Sequence, residues 1–429
     1  MRVRFFPVLL VIFLTATSYL KAQDTIRIMQ YNLMFYGLYT DFCTAANNNV
    51  NSKDQYLRTI LGHYKPDIFA VNELGRGGHN LTRIRDNVLN IEGVDYFDYA
   101  EYTNTGNGWF ANGLFYDTRK FGLRNEVIVS TLLRDINLYT LYYKSEDLEH
   151  GADTVFLTCI VAHLKAGNSA TDQQTRTAMV NNALSYLQTH NYSGNILFMG
   201  DFNMKSSFEE AYQRMINNSN ENIRFFDPIN VSGQWGNNPA MAPYHTQSPR
   251  TGTHDCFVTG GLDDRYDFIL ATRPVIEGTH GLKYIQGSYR AMGQDGNRYN
   301  QSLISPPNHS EPPEVIQALY DMSDHLPVVM KLLTEQFTQI HEIVSWDQSV
   351  KVNNPVVSRL AIQIDNPELG SGVLRVFNTS GVLMLTHEWQ NASSFQNLEL
   401  DIGHFSAGMY FLVLDFGNGI LVTRKVVKL

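Results

Sequence analysis

The run Val155-Phe156-Leu157-Thr158-Cys159-Ile160-Val161 is apolar at nearly every position, so a strand formed from it has no face for water. Side chains alternate across a strand, and one apolar on both faces belongs between two covering layers. Related runs bounded by turn residues recur along the chain. They predict strands at Ile26–Tyr31, Ile68–Asn72, Gly113–Tyr116, Thr154–His163, Ile196–Gly200, Asp267–Ala271 and Leu326–Leu332. Helical stretches such as Asp54–Tyr64 and Thr171–Gln188 fall between them. Two Gly/Asn/Pro-rich segments, Asn230–Asp255 and Gly287–Pro313, interrupt the alternation, and loops that long tend to face substrate or move.

Beyond about Glu335 the texture changes to short alternating strands. These are Arg359–Ile364, Val373–Phe377, Val382–Leu385, Leu398–Ile402, Met409–Phe416 and Ile420–Val427, with turns such as Asn378-Thr379-Ser380-Gly381 between them. A small all-β sandwich is expected there, with few titratable residues and no catalysis. The chain start carries Arg2 and Arg4, then an apolar run from Phe5 to Thr15, then Ala22. That is the layout of a secretory signal peptide, residues 1–22, too short in its apolar part to span a membrane. No later segment reaches the length of a membrane helix, so the mature protein is expected outside the cytoplasm without a transmembrane segment.

Composition limits the partners. With 43 % hydrophobic and 17 % charged residues the chain is globular rather than disordered. Its formal net charge of -9, without any Lys/Arg block, disfavours tight binding to a nucleic-acid duplex. A bound divalent cation would still let such a protein hold phosphates. The three cysteines make no disulfide framework: Cys159 sits in an apolar strand as core, and whether Cys43 and Cys256 pair stays open.

Polar residues able to do chemistry stand at the ends of the predicted strands. Asn32 ends Ile28-Met29-Gln30-Tyr31-Asn32, Glu73 ends Ile68-Phe69-Ala70-Val71-Asn72-Glu73, and His163 ends the long apolar strand just before Leu164-Lys165. Gly200-Asp201-Phe202-Asn203, Tyr266-Asp267 and Ser323-Asp324-His325-Leu326-Pro327-Val328 complete the set. A group just past a buried strand is held rigidly yet projects into the cleft at the sheet edge. Carboxylates and an amide oxygen are the hard ligands preferred by Mg²⁺, and histidine exchanges protons near neutral pH. Singly, each motif reads more readily as a turn or a solvated surface residue.

In that order the motifs resemble the endonuclease/exonuclease/phosphatase superfamily, over about Thr25 to Leu333. The resemblance implies an α+β fold, a four-layer αββα sandwich spanning residues 25–335. It also implies hydrolysis of a phosphate ester with Mg²⁺, or Mn²⁺ or Ca²⁺, as cofactor. Glu73 would be the chief metal ligand, with Asn32 and Asp324. Asp267 would orient His325, Asp201 and Asn203 would position nucleophile and phosphate, and His163 would contact phosphate or aid the leaving group. Lys165 is a further candidate for substrate binding. Deoxyribonuclease-like members carry a glutamate before the strand Gly113–Tyr116, whereas this chain reads Trp109-Phe110-Ala111-Asn112. That leaves Asn112 to touch phosphate or simply to cap a turn.

The last segment, 346–429, resembles the type A sorting domain of the type IX secretion system of Bacteroidetes through Asn354-Pro355, Ala407-Gly408-Met409-Tyr410 and Val426-Val427-Lys428-Leu429. It implies export to the cell surface or beyond through that machinery. Within the hydrolase reading, the expected activity is nuclease-like phosphodiester hydrolysis on a nucleic acid, a lipid headgroup or a small phosphodiester, and a sphingomyelinase-like lipid phosphodiesterase or a phosphomonoesterase is the alternative. A non-catalytic binding protein on the same scaffold and a structural surface protein are the competing classes.

Overall fold

The computed structural model describes residues 24–106, 108–145, 148, 153–334, 350–365, 371–379, 381–390, 396–416 and 421–429. The expected signal segment, 1–22, lies outside the described residues. The chain divides into two compact units, Met1–Phe337 and Thr338–Leu429.

The first unit contains strands β1 (Thr25–Tyr36), β2 (Ile68–Gly75), β3 (Phe97–Tyr99), β4 (Phe110–Asp117), β5 (Phe121–Ser130), β6 (Ile136–Tyr143), β7 (Phe156–His163), β8 (Ile196–Asp201), β9 (Phe225–Phe226), β10 (Asp267–Thr272), β11 (Leu282–Tyr284), β12 (Arg290–Ala291) and β13 (Val328–Thr334). Its helices are α1 (Val50–Tyr64), α2 (His79–Ile84), α3 (Ala170–Thr189), α4 (Glu210–Ile216), α5 (Arg273–Glu277) and α6 (Pro313–Met322). One sheet runs β11-β13-β1-β2-β4-β3 with β12 beside β13; the other runs β5-β6-β7-β8-β10-β9.

Alternation along each strand creates the layers. Leu157, Cys159 and Val161 of β7 share one core with Leu197 and Met199 of β8 and with Ile26, Ile28, Ile68 and Leu114 of the other sheet. The intervening Ile160 and Ala162 face the opposite way, onto Met179, Val180 and Leu184 of α3. On the far side, Met29, Tyr31, Phe69 and Val71 pack against Leu57 and Ile60 of α1 and Leu319 of α6. Helix, sheet, sheet, helix is the expected four-layer order. The caps obey local chemistry: the Asn49 side chain accepts the Asn51 and Ser52 N–H groups to start α1, and Ser169 with Asp172 forms a capping box on α3.

The hairpin β5–β6 was not expected. Its register slips between Leu123 and Asn125 and again between Ile128 and Ser130, so the period-2 pattern breaks. Arg124 and Asn125 are exposed, which further hides the strand in the sequence.

The second unit holds β14 (Val350–Val352), β15 (Arg359–Ile364), β16 (Gly372–Asn378), β17 (Leu383–Trp389), β18 (Gln396–Asp401), β19 (Gly408–Asp415) and β20 (Leu421–Lys428). They form sheets β14-β15-β18 and β17-β16-β19-β20 over a common core that includes Leu360, Ile362, Leu374, Val376, Leu412 and Leu414. This is the all-β sandwich expected there.

Candidate active site

Strand register gathers the motifs at one end of the two sheets. In parallel β7 and β8, His163 lies opposite Asp201; in antiparallel β8 and β10, Asp201 lies opposite Asp267. In parallel β1 and β2, Asn32 lies opposite Asn72. The β7–β8 pairing needs a glycine at the Gly-Asp-x-Asn motif. Gly200 has φ +146, and a Cβ there would sit 1.7 Å from the Ala162 carbonyl oxygen. Glu73 is placed by an irregularity: the β2–β4 register shifts between Val71 and Leu74, and Glu73 takes a left-handed φ of 58. A residue strained in this way is held by its surroundings, and such positions cluster at functional sites.

The side chains then converge. The Asn32 amide nitrogen donates to Glu73 Oε1 and to Asp201 Oδ2, both at 3.0 Å. His163 Nε2 lies 3.4 Å from Asp201 Oδ2 and 3.9 Å from Glu73 Oε1. His325 Nδ1 is 2.7 Å from Asp267 Oδ2, and its Nε2 is 3.8 Å from Asp201 Oδ2. Gln247 Nε2 stands 2.8 Å from His325 Nε2. The Val258 N–H donates to Asp324 Oδ2, and Asn203 donates its own N–H to Asp201 Oδ1.

Charge is crowded here, and burial sets the protonation states. Burial pushes Asp201 up to about 7, helped by Asp267 and Glu73 and opposed by His325. Burial and the Asp324 charge raise Glu73, against the hydrogen bond from Asn32. Burial alone would depress His325, but Asp267 and Asp201 outweigh it and hold the imidazole well above its usual range. His163 goes the other way: burial, then Arg134 and His325, keep it neutral. The neighbouring imidazoles are thus driven apart, one toward the charged form and one toward the neutral.

Donor atoms of Glu73, His163 and Asp201 all lie within 4.8 Å of one another, close enough to bind one cation. This group includes Glu73 of the expected ligands and adds His163 and Asp201; Asp324, also expected as a ligand, is not in it, and its Oδ1 is buried with no hydrogen-bond partner among the described residues. Asn32 turns its nitrogen to the carboxylates because its oxygen accepts the Met34 N–H at 2.9 Å.

Both residues expected at the substrate have partners within the protein. Asn112 is buried with its amide committed inside the protein: Oδ1 to Asn72, Nδ2 to the Asp135 and Val161 carbonyls and to Asn137. The Lys165 ammonium is held by Asp172 at 2.8 Å and by the Ala166 carbonyl.

Several residues at the site carried no signal in sequence. Asn72 bridges the sheets, taking donors from Gln30 and from the Asp201 backbone. The Arg134 guanidinium has a buried nitrogen without a hydrogen-bond partner among the described residues and feels the charges of Glu73 and Asp201. Lys53, 1 % exposed, donates to the Leu33 and Met34 carbonyls behind Asn32. Gln247 falls within the segment read as substrate-facing, which was the one available clue. A disulfide joins Cys43 to Cys256 and anchors that segment beside Phe35 and Phe257, while Cys159 is a buried free thiol.

Residues 354–428 match the family profile of the secretion system C-terminal sorting domain. A sorting tail of this kind implies handling by export machinery and a destination at the cell surface or outside it. Among the described residues no helix is long and apolar enough to cross a membrane.

No curated protein sequence matches the chain. Solved structures resemble it in fold. An endonuclease/exonuclease/phosphatase family protein from Bacteroides thetaiotaomicron is 12 % identical with a TM-score of 0.45, covering 73 % of this chain and 100 % of its own. The human Nocturnin catalytic domain with bound sulfate is 16 % identical with a TM-score of 0.43, covering 72 % and 97 %. A mannosyl-6-phosphatase from Bacteroides thetaiotaomicron is 12 % identical with a TM-score of 0.43, covering 72 % and 99 %.

Proposed function

We propose that the first unit is a divalent-metal-dependent phosphoesterase acting on a phosphodiester, and that it works outside the cell. The observation that carries this reading is the buried cluster of Glu73, Asp201 and His163 facing the His325–Asp267 pair. Five ionisable groups buried together are costly unless chemistry or a cation needs them. The donor set fits a hard divalent cation such as Mg²⁺ or Mn²⁺: two carboxylates and one neutral imidazole, with a further orphaned carboxylate oxygen on Asp324. Glu73, Asp201 and His163 would hold the ion, which would supply Lewis-acid stabilisation of charge on the phosphoryl oxygens.

The chain's own residues account for the rest. Asp267 fixes the His325 ring through Nδ1, and Nε2, met by Gln247 at 2.8 Å, would exchange a proton with an oxygen of substrate or water that displaces that contact. Asp201, poised near neutrality, stands 3.8 Å from that nitrogen as the alternative proton acceptor. Arg134 adds a cation whose unpartnered nitrogen suits a phosphate oxygen. Asn203, left-handed at φ 53 and half-buried beside Asp201, serves to position the phosphate.

A specific feature favours esters with an apolar group beside the phosphate, such as lipid phosphodiesters, over polynucleotides. Phe42, Trp109, Leu132, Leu133 and Val258 are exposed. Each touches or adjoins a residue at the site: Phe42 meets the Phe35 ring edge-to-face, Trp109 adjoins Phe110 (stacked on His163), Leu132 and Leu133 precede Arg134, and the Val258 N–H binds Asp324. Exposed apolar clusters of this kind mark interaction surfaces.

The deciding experiment assays the purified chain on bis-p-nitrophenyl phosphate, plasmid DNA, RNA and sphingomyelin vesicles, with Mg²⁺ or Mn²⁺ and with chelator. Metal-dependent turnover that disappears in folded Asp201→Ala and His325→Ala variants supports the reading. Unchanged activity in either variant removes the role given to that residue, and no turnover on any ester favours a binding protein. Export through residues 1–22 and the tail, with both removed, completes the proposal. Terminal peptides of the secreted protein, read by mass spectrometry, test it.

A further inference from the structure

A second polar cavity, of about 340 Å³, lies beside the carboxylate cluster. Asn49, Ser52, Lys53 and Tyr56 from the start of α1 line one side, and Arg250 and His254 line another; Asp321 is the one acid in its wall. Arg250 is 8 % exposed, its guanidinium clasped between the rings of Phe257 at 4.7 Å and Tyr320 at 4.1 Å. Its Nε is buried with no hydrogen-bond partner among the described residues, and the Asp321 oxygen nearest its Nη2 is 4.0 Å away, beyond hydrogen-bond reach.

The remaining wall adds donors and positive potential. His254 Nδ1 accepts the Cys256 and Phe257 N–H groups, so the ring proton sits on Nε2, for which no partner is recorded among the described residues. Lys53 also stands in the wall, but its nitrogen is turned to the Leu33 and Met34 carbonyls and burial pulls its pKa down to about 7, so it adds only part of a charge. The fifteen-residue α1 has no acid in its first turn, and its dipole places partial positive charge here; because Asn49 already caps the first N–H groups, recognition falls to side chains. A single carboxylate facing the Arg250 charge makes a poor cation site, and too little of the wall is apolar for a hydrophobic ligand. The Arg250 guanidinium in the wall, with the nearest carboxylate oxygen beyond hydrogen-bond reach of Nη2, suits an anionic acceptor.

We propose that this cavity is an accessory oxyanion site for a phosphate group, with Arg250 as its principal donor. The site adjoins the catalytic rim through two links. Lys53 also holds the Leu33 and Met34 carbonyls beside Asn32, and Phe257 precedes Val258, whose N–H binds Asp324. The phosphate is either a second phosphate on the substrate or the free anion.

The test is calorimetric titration of the full chain with inorganic phosphate in excess chelator. Cation-mediated binding and turnover are then both absent, so the outcome is independent of the hydrolase reading. Wild type should bind one phosphate, and Arg250→Gln should bind at least tenfold more weakly with an unchanged melting temperature. Should Arg250→Gln fail to fold, Arg250→Lys (charge kept, planar fork lost) and His254→Ala, each several-fold weaker, replace it. No saturable binding by wild type, or equal affinity in the folded variants, overturns the proposal. The source is read from p-nitrophenyl esters of thymidine 5′-phosphate made with and without a 3′-phosphate. A lower KM for the bisphosphate that Arg250→Lys abolishes assigns the anion to substrate. An Arg250-dependent rate change on the plain ester with added phosphate assigns it to the free ion.

Discussion

Replacing both Cys43 and Cys256 by serine should weaken the first unit strongly, because their bond spans 213 positions of sequence. Closing so long a loop removes conformational freedom mainly from the unfolded chain; on the chain-entropy treatment the loss is about 5 kcal/mol at 25 °C. With an unfolding entropy near 2 cal/mol/K per residue, that predicts a fall in Tm of about 8 °C for a unit of this size. Calorimetry of the oxidised wild type, the reduced wild type and the double variant measures it. Function should fall with stability, since the tethered segment carries Gln247 on His325 Nε2 and the Val258 N–H on Asp324. Melting temperatures within about 1 °C of each other, with the thiols of the double variant confirmed absent, would refute the entropic reasoning. Free Cys43 and Cys256 thiols in the secreted protein would refute the bond itself.

Asp267→Asn removes a buried charge-assisted hydrogen bond of about 1.5–3 kcal/mol and should lower kcat by roughly 10- to 150-fold, more than it changes KM; a kcat within twofold of wild type removes the orienting role. Gly200→Ala forces a Cβ into the Ala162 carbonyl at positive φ and should cost about 3 kcal/mol or more, read by urea unfolding. Mn²⁺ at about 100 times its Kd should stabilise the wild type by about 2.7 kcal/mol in thermal melts. Glu73→Gln should lose most of that gain, while a substitution at half-buried Asp172, outside the cluster, should keep it. In chelator, stability should fall as pH rises from about 4 to 7. The raised pKa of Asp201 means the folded state binds more protons than the unfolded chain across that window, so its contribution is complete near pH 4 and lost through its folded value of about 7. Asp201→Asn should flatten this part of the profile; an unchanged slope assigns it to other groups.

Most of the elements that position the site, and the residues that end them, were written in local pattern; the β5–β6 hairpin, with its two register slips, was not. The doubly apolar run before His163 could only be a strand covered on both sides, and the turn-bounded runs at Ile68, Ile196 and Val328 announced strands with polar groups at their exits. The tail's short alternating strands were equally readable. Local pattern could not show how those exits meet. Asn32 clamps Glu73 and Asp201 across 41 and 169 positions of chain, and the capture of the Asn32 oxygen by Met34 follows from a left-handed bulge without periodicity. Asn112 and Lys165 looked available because they follow or precede strands, yet their partners, Asn137 and Asp172, are chosen by packing and helix capping. Arg134, Lys53 and Arg250 belong to no motif, since a guanidinium or ammonium gains its meaning from the burial and charge around it. Periodicity reports which way a side chain points within its own strand; only the register between strands and the layers above them decides what it meets, and protonation follows from that meeting.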